Sequence, residues 1–202
     1  MSATGILLCA GTSARMGFDK LNTPLCGKTA IERSMDALIL GGCDSIVFVV
    51  NDASEQTVSK LSCAVPHTVV RGGQTRTDSV RNGLAAAAGK VAVIHDAARC
   101  FVAPALVKAC IDSAKEFGSG VAAIPMTDTV MRLHAYGTET LDRNTLWRMQ
   151  TPQAFLLDLI RTAYEGGESA TDDATLYANA IGAPHFVPGS RSHFMMLSRM
   201  DR

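Results

Sequence analysis

The sequence predicts an α/β fold with a mostly parallel sheet, because short apolar runs alternate with segments of helical periodicity. The first run starts at Ile6, and the later runs cover residues 45–50, 67–70, 91–94 and 121–125. A chain of 202 residues can form one substantial core. We therefore expect a single domain, residues 1–202, with an appendage.

Composition limits the kinds of partner. The 19 basic and 19 acidic residues cancel, so the chain lacks the basic excess typical of proteins that bind nucleic acid or anionic membranes. No apolar run approaches the roughly 20 residues of a membrane span, and residues 1–5 lack the charged start of a secretion signal. We expect a cytoplasmic protein whose partners are small molecules or proteins, with no nucleic acid and no membrane among them.

The six cysteines show no Cys-x-x-Cys pair and mostly lie beside apolar residues. This pattern favours reduced thiols in the core over zinc ligands or disulfide bonds. The cysteines stand at positions 9, 26, 43, 63, 100 and 110.

The first apolar run breaks into a loop of small residues that carries two cations, Arg15 and Lys20. The backbone of such a loop can approach a ligand closely and turn its N–H groups toward negative charge. Two cations beside it indicate a triphosphate site. The alternative is an ordinary strand-to-helix turn with solvated charges. The small residues are Gly11, Thr12, Ser13, Ala14 and Gly17.

Residues 27–29, Gly-Lys-Thr, resemble the end of a phosphate-binding P-loop, but that motif requires Gly at position 22, where Asn22 stands. Thr29 followed by Glu32 instead matches a capping box. Apolar residues at helical spacing follow, so we predict a helix that starts after Thr29 and stops at residues 41–42.

A second glycine-containing segment, residues 72–89, ends one predicted strand and starts a helix. Arg76 and Ser79 lie at or near the helix start, where anionic or acceptor groups bind favourably. The pattern is equally compatible with Arg76 as a charged residue on the protein surface. One face of the helix is marked by Val80, Leu84 and Ala87.

The run at residues 91–94 leads directly into His95, Asp96 and, three residues later, Arg99. Ligands of open α/β folds bind at the carboxyl edge of the parallel sheet. A carboxylate and a guanidinium at that edge predict a ligand site, although a helix-capping Asp96 and a solvated Arg99 would also explain the pattern. We interpret His95 as a packed or hydrogen-bonded strand residue rather than a catalyst.

Residues 127–150 interrupt the alternation with a polar, mixed segment that contains the only Trp of the sequence. Long excursions of this kind are usually functional or lie between subunits, and we predict a hairpin arm. A helical run is then predicted from Phe155 to Tyr164, followed by a second helix over residues 171–180. Residues 185–187 and 194–197 are predicted as late strands.

Six strings, in their order and at their intervals, resemble the 2-C-methyl-D-erythritol 4-phosphate cytidylyltransferase family. They are CAGTSARMG with Lys20, GGQTRTDSV, HDAAR, DT at residues 128–129, LDRNTLWRMQTPQAF and TDDA. The similarity covers nearly the whole chain. The run from LDRN to QTPQAF is more specific than the others and favours this family over the related ribitol phosphate cytidylyltransferases.

The resemblance implies a Rossmann-like nucleotidyltransferase fold, with a twisted sheet flanked by helices and a protruding β-arm. It implies CTP with Mg²⁺, a polyol phosphate acceptor, and a homodimer made through residues 127–150. In the family's reaction the acceptor phosphate attacks the α-phosphorus of CTP in line and pyrophosphate leaves. Such a step needs positioning and charge stabilisation rather than an enzyme nucleophile.

The resemblance also assigns roles to individual residues. Arg15 and Lys20 match the catalytic pair that grips the triphosphate, and Asp96 matches the ribose and metal region. The phosphosugar positions are Arg99, Thr129, Arg143 and Thr151, and the family's counterparts of Thr129 and Arg143 reach the neighbouring subunit's site. The nucleotide positions are Ala10, Gly11, Thr12, Gly73, Gln74, Arg76, Ser79 and Asp96.

Two departures from the family pattern bear on the acceptor. The family has an Asn-x-Lys strand whose Lys contacts the substrate phosphate, whereas residues 193–195 read His-Phe-Met, with Met195 in place of that cation. The chain also stops at Arg202, close to where the family's terminal helix begins. Two alternatives are therefore kept: a transferase for another polyol phosphate, such as ribitol 5-phosphate, and a nucleotide-binding protein without turnover.

Overall fold

The computed structural model describes residues 1–11, 21–22, 24–25, 27–166, 170–193 and 195. Three predicted site residues, Thr12, Arg15 and Lys20, lie outside these ranges. Most of the strand predicted over residues 194–197 also lies outside them, but Met195 is described.

The strands are β1 (Ala3–Leu8), β2 (Ser45–Val50), β3 (His67–Arg71), β4 (Val91–Asp96), β5 (Ser119–Pro125), β6 (Val130–His134), β7 (Gly137–Leu141), β8 (Trp147–Leu156) and β9 (Phe186–Pro188). Within the described residues the central sheet has seven strands in the order β3-β2-β1-β4-β8-β5-β9. Strand β8 runs antiparallel to both of its neighbours, and the remaining pairs are parallel. The prediction of a mostly parallel sheet is confirmed.

The helices are α1 (Ala30–Leu40), α2 (Asp52–Val58), α3 (Arg76–Ala86), α4 (Pro104–Phe117), α5 (Leu157–Glu165) and α6 (Asp173–Ala180). They pack on both faces of the sheet, because successive residues of a buried strand point to opposite sides. Leu7 of β1 packs with Leu38 of α1 and Val107 of α4, whereas Ile6 packs with Leu84 of α3 and Ile160 of α5. None of the helices in the described ranges is long and apolar enough to cross a membrane.

Helix α1 begins with the capping box that the sequence predicted. The Thr29 hydroxyl accepts the backbone N–H of Glu32 at 3.2 Å, and the Glu32 carboxylate accepts the N–H of Thr29 at 2.7 Å. These backbone and hydroxyl hydrogen bonds from Thr29 lower the pKa of Glu32. The interpretation of residues 27–29 as a helix start, and not as a P-loop, is confirmed.

The excursion after β5 forms the predicted hairpin arm. Strands β6 and β7 pair only with each other in the described structure, and a 3-10 turn at Arg143–Thr145 leads back to the central sheet. Large apolar side chains of the hairpin are exposed, including Met131, Leu133 and Tyr136. The last residues of the predicted excursion, from Trp147 onward, belong to β8 and not to the arm.

The prediction of a helical run from Phe155 was wrong in its first residues, because β8 continues to Leu156 and α5 begins at Leu157. Polar residues and Pro152 hide this strand from a search for apolar runs. It forms because β4 and β5, distant in sequence, pair with its two edges. Such pairing depends on tertiary contacts and not on local propensity.

Candidate active site

Two adjoining cavities open at the carboxyl edge of the parallel strands. The first has a volume of about 450 Å³ and the second about 370 Å³. Three residues line both cavities: Arg76 at the start of α3, Asp96 at the end of β4, and Met195. This is the edge at which open α/β sheets bind ligands.

The first cavity brings together seven of the eight predicted nucleotide positions. Leu8, at the end of β1, also lines it. Thr12, the eighth predicted position, lies outside the described residues. The seven positions are Ala10, Gly11, Gly73, Gln74, Arg76, Ser79 and Asp96.

The glycines at residues 72–73 are required by the close packing of this cavity's wall. A Cβ atom on Gly73 would lie 2.2 Å from Cβ of Asp78, and one on Gly72 would lie 2.5 Å from Cβ of Ala10. The Ser79 hydroxyl accepts the N–H of Gly73 and donates to the Thr75 carbonyl oxygen, both at 3.0 Å. Ser79 therefore shapes the loop from inside, a role that the sequence did not reveal.

The second cavity is lined by two of the predicted phosphosugar positions, Arg99 and Thr151. The Thr151 hydroxyl accepts the N–H of Asp96 at 3.1 Å, so β8 and the end of β4 are joined at this point. The other lining residues are Arg76, Asp96, Met149, Gln150, Thr171, Asp172, Thr175 and Met195.

Arg99 lines the second cavity and is only loosely paired there. Its Nε lies 3.9 Å from Asp96 Oδ2, and this atom has no hydrogen-bond partner among the described residues. Burial lowers the pKa of Arg99, and the neighbouring Arg148 and Arg76 lower it further against the effect of Asp96. A guanidinium stays protonated despite such a shift, so this arrangement favours an incoming anion.

Arg76 forms ion pairs with two carboxylates, Asp96 and Asp173, which the sequence did not predict. Asp173 accepts from both terminal nitrogens of Arg76 and also accepts the hydroxyl of Tyr164. Burial alone would lower the pKa of Arg76, but Asp173 and then Asp96 raise it. The string TDDA contained the signal, since two adjacent acids stand at a predicted helix start, but the sequence indicated only a cap.

His95 is fully buried, and its Nδ1 lies 3.0 Å from the Thr151 hydroxyl. Its ring stacks on that of His193, with centroids 5.9 Å apart and planes inclined by 19°. Burial lowers the pKa of His95 to about 3 and that of His193 to about 4. The prediction that His95 is a packed, hydrogen-bonded residue is confirmed.

Thr129 and Arg143 line neither of these cavities. Both are exposed, and Arg143 donates to the Thr127 carbonyl oxygen at 3.0 Å. Their predicted contact with the site of a neighbouring subunit stays a prediction.

Asp96 is the candidate ligand for a divalent cation at this site. No group of three or more potential ligands (His, Cys, Asp or Glu) occurs among the residues that the structure describes. Asp96 is one carboxylate that faces both cavities. Mg²⁺ is commonly bound through one or two carboxylates plus substrate phosphates, so Asp96 fits a metal that arrives with a nucleotide.

A third cavity, of about 540 Å³, lies beside α1 and is less suited to an anion. Its cations already have partners: Lys28 pairs with Asp36 at 2.5 Å, and Arg33 donates to the Leu25 carbonyl oxygen. The two cavities at the sheet edge, with the weakly paired Arg99, are therefore the candidate active site.

Comparison with known proteins finds one family along almost the entire chain. The family model described as 2-C-methyl-D-erythritol 4-phosphate cytidylyltransferase matches residues 4–201. A protein of that name from Geobacillus kaustophilus is 36% identical over 91% of this chain and 86% of its own length.

A protein from Anaeromyxobacter dehalogenans named bifunctional enzyme IspD/IspF is 40% identical over 98% of this chain, which spans 54% of that relative's length. The chain thus spans about half the length of the bifunctional relatives it matches. A solved structure of 4-diphosphocytidyl-2C-methyl-D-erythritol synthase from Anaerococcus prevotii has the same fold. It aligns with a TM-score of 0.85 at 23% identity, covering 98% of this chain and 93% of its own. With a family model matched across almost its entire length, the chain belongs to the 2-C-methyl-D-erythritol 4-phosphate cytidylyltransferase family.

Proposed function

We propose that this chain transfers the cytidylyl group of CTP to 2-C-methyl-D-erythritol 4-phosphate, with release of pyrophosphate. The observation that carries the proposal is the weakly paired Arg99 in a cavity that shares a wall with the predicted nucleotide cavity. Two anionic substrates that must react with each other require two adjoining sites of this kind. Family membership supplies the identity of the substrates.

In the proposed reaction an oxygen of the acceptor phosphate attacks the α-phosphorus of CTP. A new phosphorus–oxygen bond forms, and the bond to the β-phosphate oxygen breaks, so that pyrophosphate leaves with the electron pair. The protein has to align the two anions and to stabilise the charge that develops at phosphorus. Arg15 and Lys20 are proposed for the catalytic part of this task, by resemblance alone.

The other site residues bind and orient the substrates. The residues at positions 10–11 and 73–74 line the first cavity and are proposed to contact the cytosine and ribose. Arg99 and Thr151 are proposed to hold the acceptor phosphate. Asp96 is proposed to hold Mg²⁺ with the triphosphate, and this ion would neutralise part of the negative charge around the reacting phosphorus.

A homodimer is also proposed, made through the arm at residues 127–150. The exposed apolar side chains of Leu133 and Tyr136 support it, because large exposed apolar groups on one hairpin favour association. In such a dimer Thr129 and Arg143 would reach the partner's acceptor site. A cytoplasmic location is proposed on the composition of the sequence.

The test is pyrophosphate release by the purified protein with CTP, Mg²⁺ and 2-C-methyl-D-erythritol 4-phosphate. Parallel reactions contain ribitol 5-phosphate or no acceptor. Release that depends on methylerythritol phosphate is the expected result. Release with ribitol 5-phosphate but not with methylerythritol phosphate would contradict the proposed acceptor and still support cytidylyl transfer. CTP binding without any pyrophosphate release would contradict the proposal that the protein is an enzyme.

One observation favours a second candidate acceptor. Met195 lines both cavities at the position where the family pattern has a lysine. A thioether cannot supply the cation that contacts the acceptor phosphate in the family. Another polyol phosphate is therefore the alternative substrate that the acceptor panel tests directly.

A further inference from the structure

Arg76 is held on two sides by carboxylates. Its Nη1 and Nη2 donate to the two oxygens of Asp173 at 3.0 and 2.8 Å, and its Nε donates to Asp96 Oδ1 at 3.3 Å. Three of its five N–H groups are thereby occupied. Arg76 differs in this respect from Arg99, whose Nε is 3.9 Å from the nearest oxygen of Asp96.

Asp173 is the fixed end of this arrangement. Its side chain is 0% exposed, and the Tyr164 hydroxyl donates to its Oδ1 at 2.5 Å. A buried charge is tolerated only when it is paired and hydrogen-bonded, and the bidentate geometry restricts rotation of the guanidinium. The orientation of Arg76 is therefore determined from inside the protein, by α5 and α6.

Asp96 is the exposed end. It lies at the carboxyl edge of β4 and lines both cavities, and its carboxylate retains 18% exposure. In the described part of the chain, the hydrogen bond that its carboxylate accepts comes from Arg76. A shift of Arg76 would therefore move the carboxylate that faces both substrates.

We propose that Asp173 and Tyr164 are positioning residues of the active site, which hold Arg76 so that it fixes the Asp96 carboxylate on the wall shared by the two cavities. This inference rests on the proposed function, because the carboxylate matters only if both cavities hold reacting substrates. Misplacement of a group by about 1 Å can cost about a hundredfold in rate. The buried contacts of Asp173 therefore bear on catalysis without touching either substrate.

The test is a double-mutant cycle on the rate of pyrophosphate release. Wild type is compared with Arg76→Gln, Asp173→Asn and the double variant, with kcat expressed per folded molecule. Each single substitution should lower kcat roughly tenfold or more, with smaller changes in either KM. The double variant should be no slower than Arg76→Gln, because Asp173 acts through Arg76. Additive losses, or an unchanged kcat in Asp173→Asn, would overturn the inference.

Asp173→Asn removes the buried negative charge that faces the Arg76 guanidinium and can prevent folding. In that case Tyr164→Phe, which removes only one hydrogen bond to Asp173, gives the same information. It should lower kcat a few-fold in the wild-type background and leave it unchanged beside Arg76→Gln. An equal effect in both backgrounds, or no effect in the first, would refute the positioning role.

Arg161→Gln provides the matched control. Arg161 lies on α5 like Tyr164, but it donates to the carbonyl oxygens of Leu84 and Ala87, away from both cavities. This variant should lose stability and keep its kcat, and a loss of kcat as large as that of Tyr164→Phe would contradict the inference. Absence of any turnover in the wild type would instead count against the proposed function, so the two failures are distinguishable.

Discussion

Replacement of His193 by Asn should reduce the amount by which acidification lowers the free energy of unfolding. His193 is 1% exposed, and neither of its ring nitrogens has a hydrogen-bond partner among the described residues. Burial, and then the charge of Arg99, lower its pKa from 6.5 to about 4, while the Arg99 carbonyl group opposes the shift. Asn is the residue that the family pattern carries at this position, so the variant should fold.

The expected magnitude follows from the difference in proton uptake. Between pH 7 and pH 5 the unfolded chain protonates this imidazole, whereas the folded protein keeps it neutral. Stability contributed by the neutral ring is therefore complete above about pH 6.5 and is lost as the pH falls toward 4. Because pH 5 lies about 1.5 units below the unfolded pKa, the free energy of unfolding falls by about 2 kcal/mol at that pH.

The assay is urea denaturation of wild type and His193→Asn at pH 7 and at pH 5. The free energy of unfolding should fall by about 2 kcal/mol less in the variant than in wild type over this interval. His134→Asn, on the exposed hairpin, is the control and should follow the wild type. Equal pH dependence of wild type and His193→Asn would refute the conclusion that the folded protein excludes the charged ring.

Three further substitutions test the site and the arm. Met195→Lys should lower the KM for methylerythritol phosphate, because it restores a cation at both cavities; an unchanged KM in steady-state assays would contradict this role. Lys20→Ala should reduce kcat by orders of magnitude with an unchanged circular dichroism spectrum, and near-normal turnover would remove Lys20 from catalysis. Leu133→Asp places a charge on a side chain that is 81% exposed on the hairpin, and it should shift sedimentation from dimer to monomer; a persistent dimer would place the interface elsewhere.

Much of the fold could be predicted because its signals are local. Residues 45–50 form the predicted strand, and Thr29 caps the predicted helix. Each depends on neighbours within a few residues, through hydrogen bonds of the cap or through a continuous apolar run. Strand β8 was missed, because its partners β4 and β5 lie far away in the sequence and polar residues interrupt its own apolar ones.

The candidate site divides in the same way. Motif strings identified Ala10, Gly73, Asp96 and Arg99, which line the two cavities. Arg76 was assigned to the nucleotide, but whether its charge is available could not be read from its neighbours. Asp173, 97 residues further along the chain, decides this by occupying both terminal nitrogens.

The sequence by itself determined the alternating architecture, the family and most of the residues at the sheet edge. These features follow from apolar periodicity and from short motifs, which are local properties of the chain. Only the tertiary structure decided which charges are paired. Arg76 and Arg99 have the same side chain, yet one is clamped by a buried carboxylate and the other faces a cavity with a distant partner. Burial and distance set the interaction energy of a charge, and both arise only when remote segments pack together.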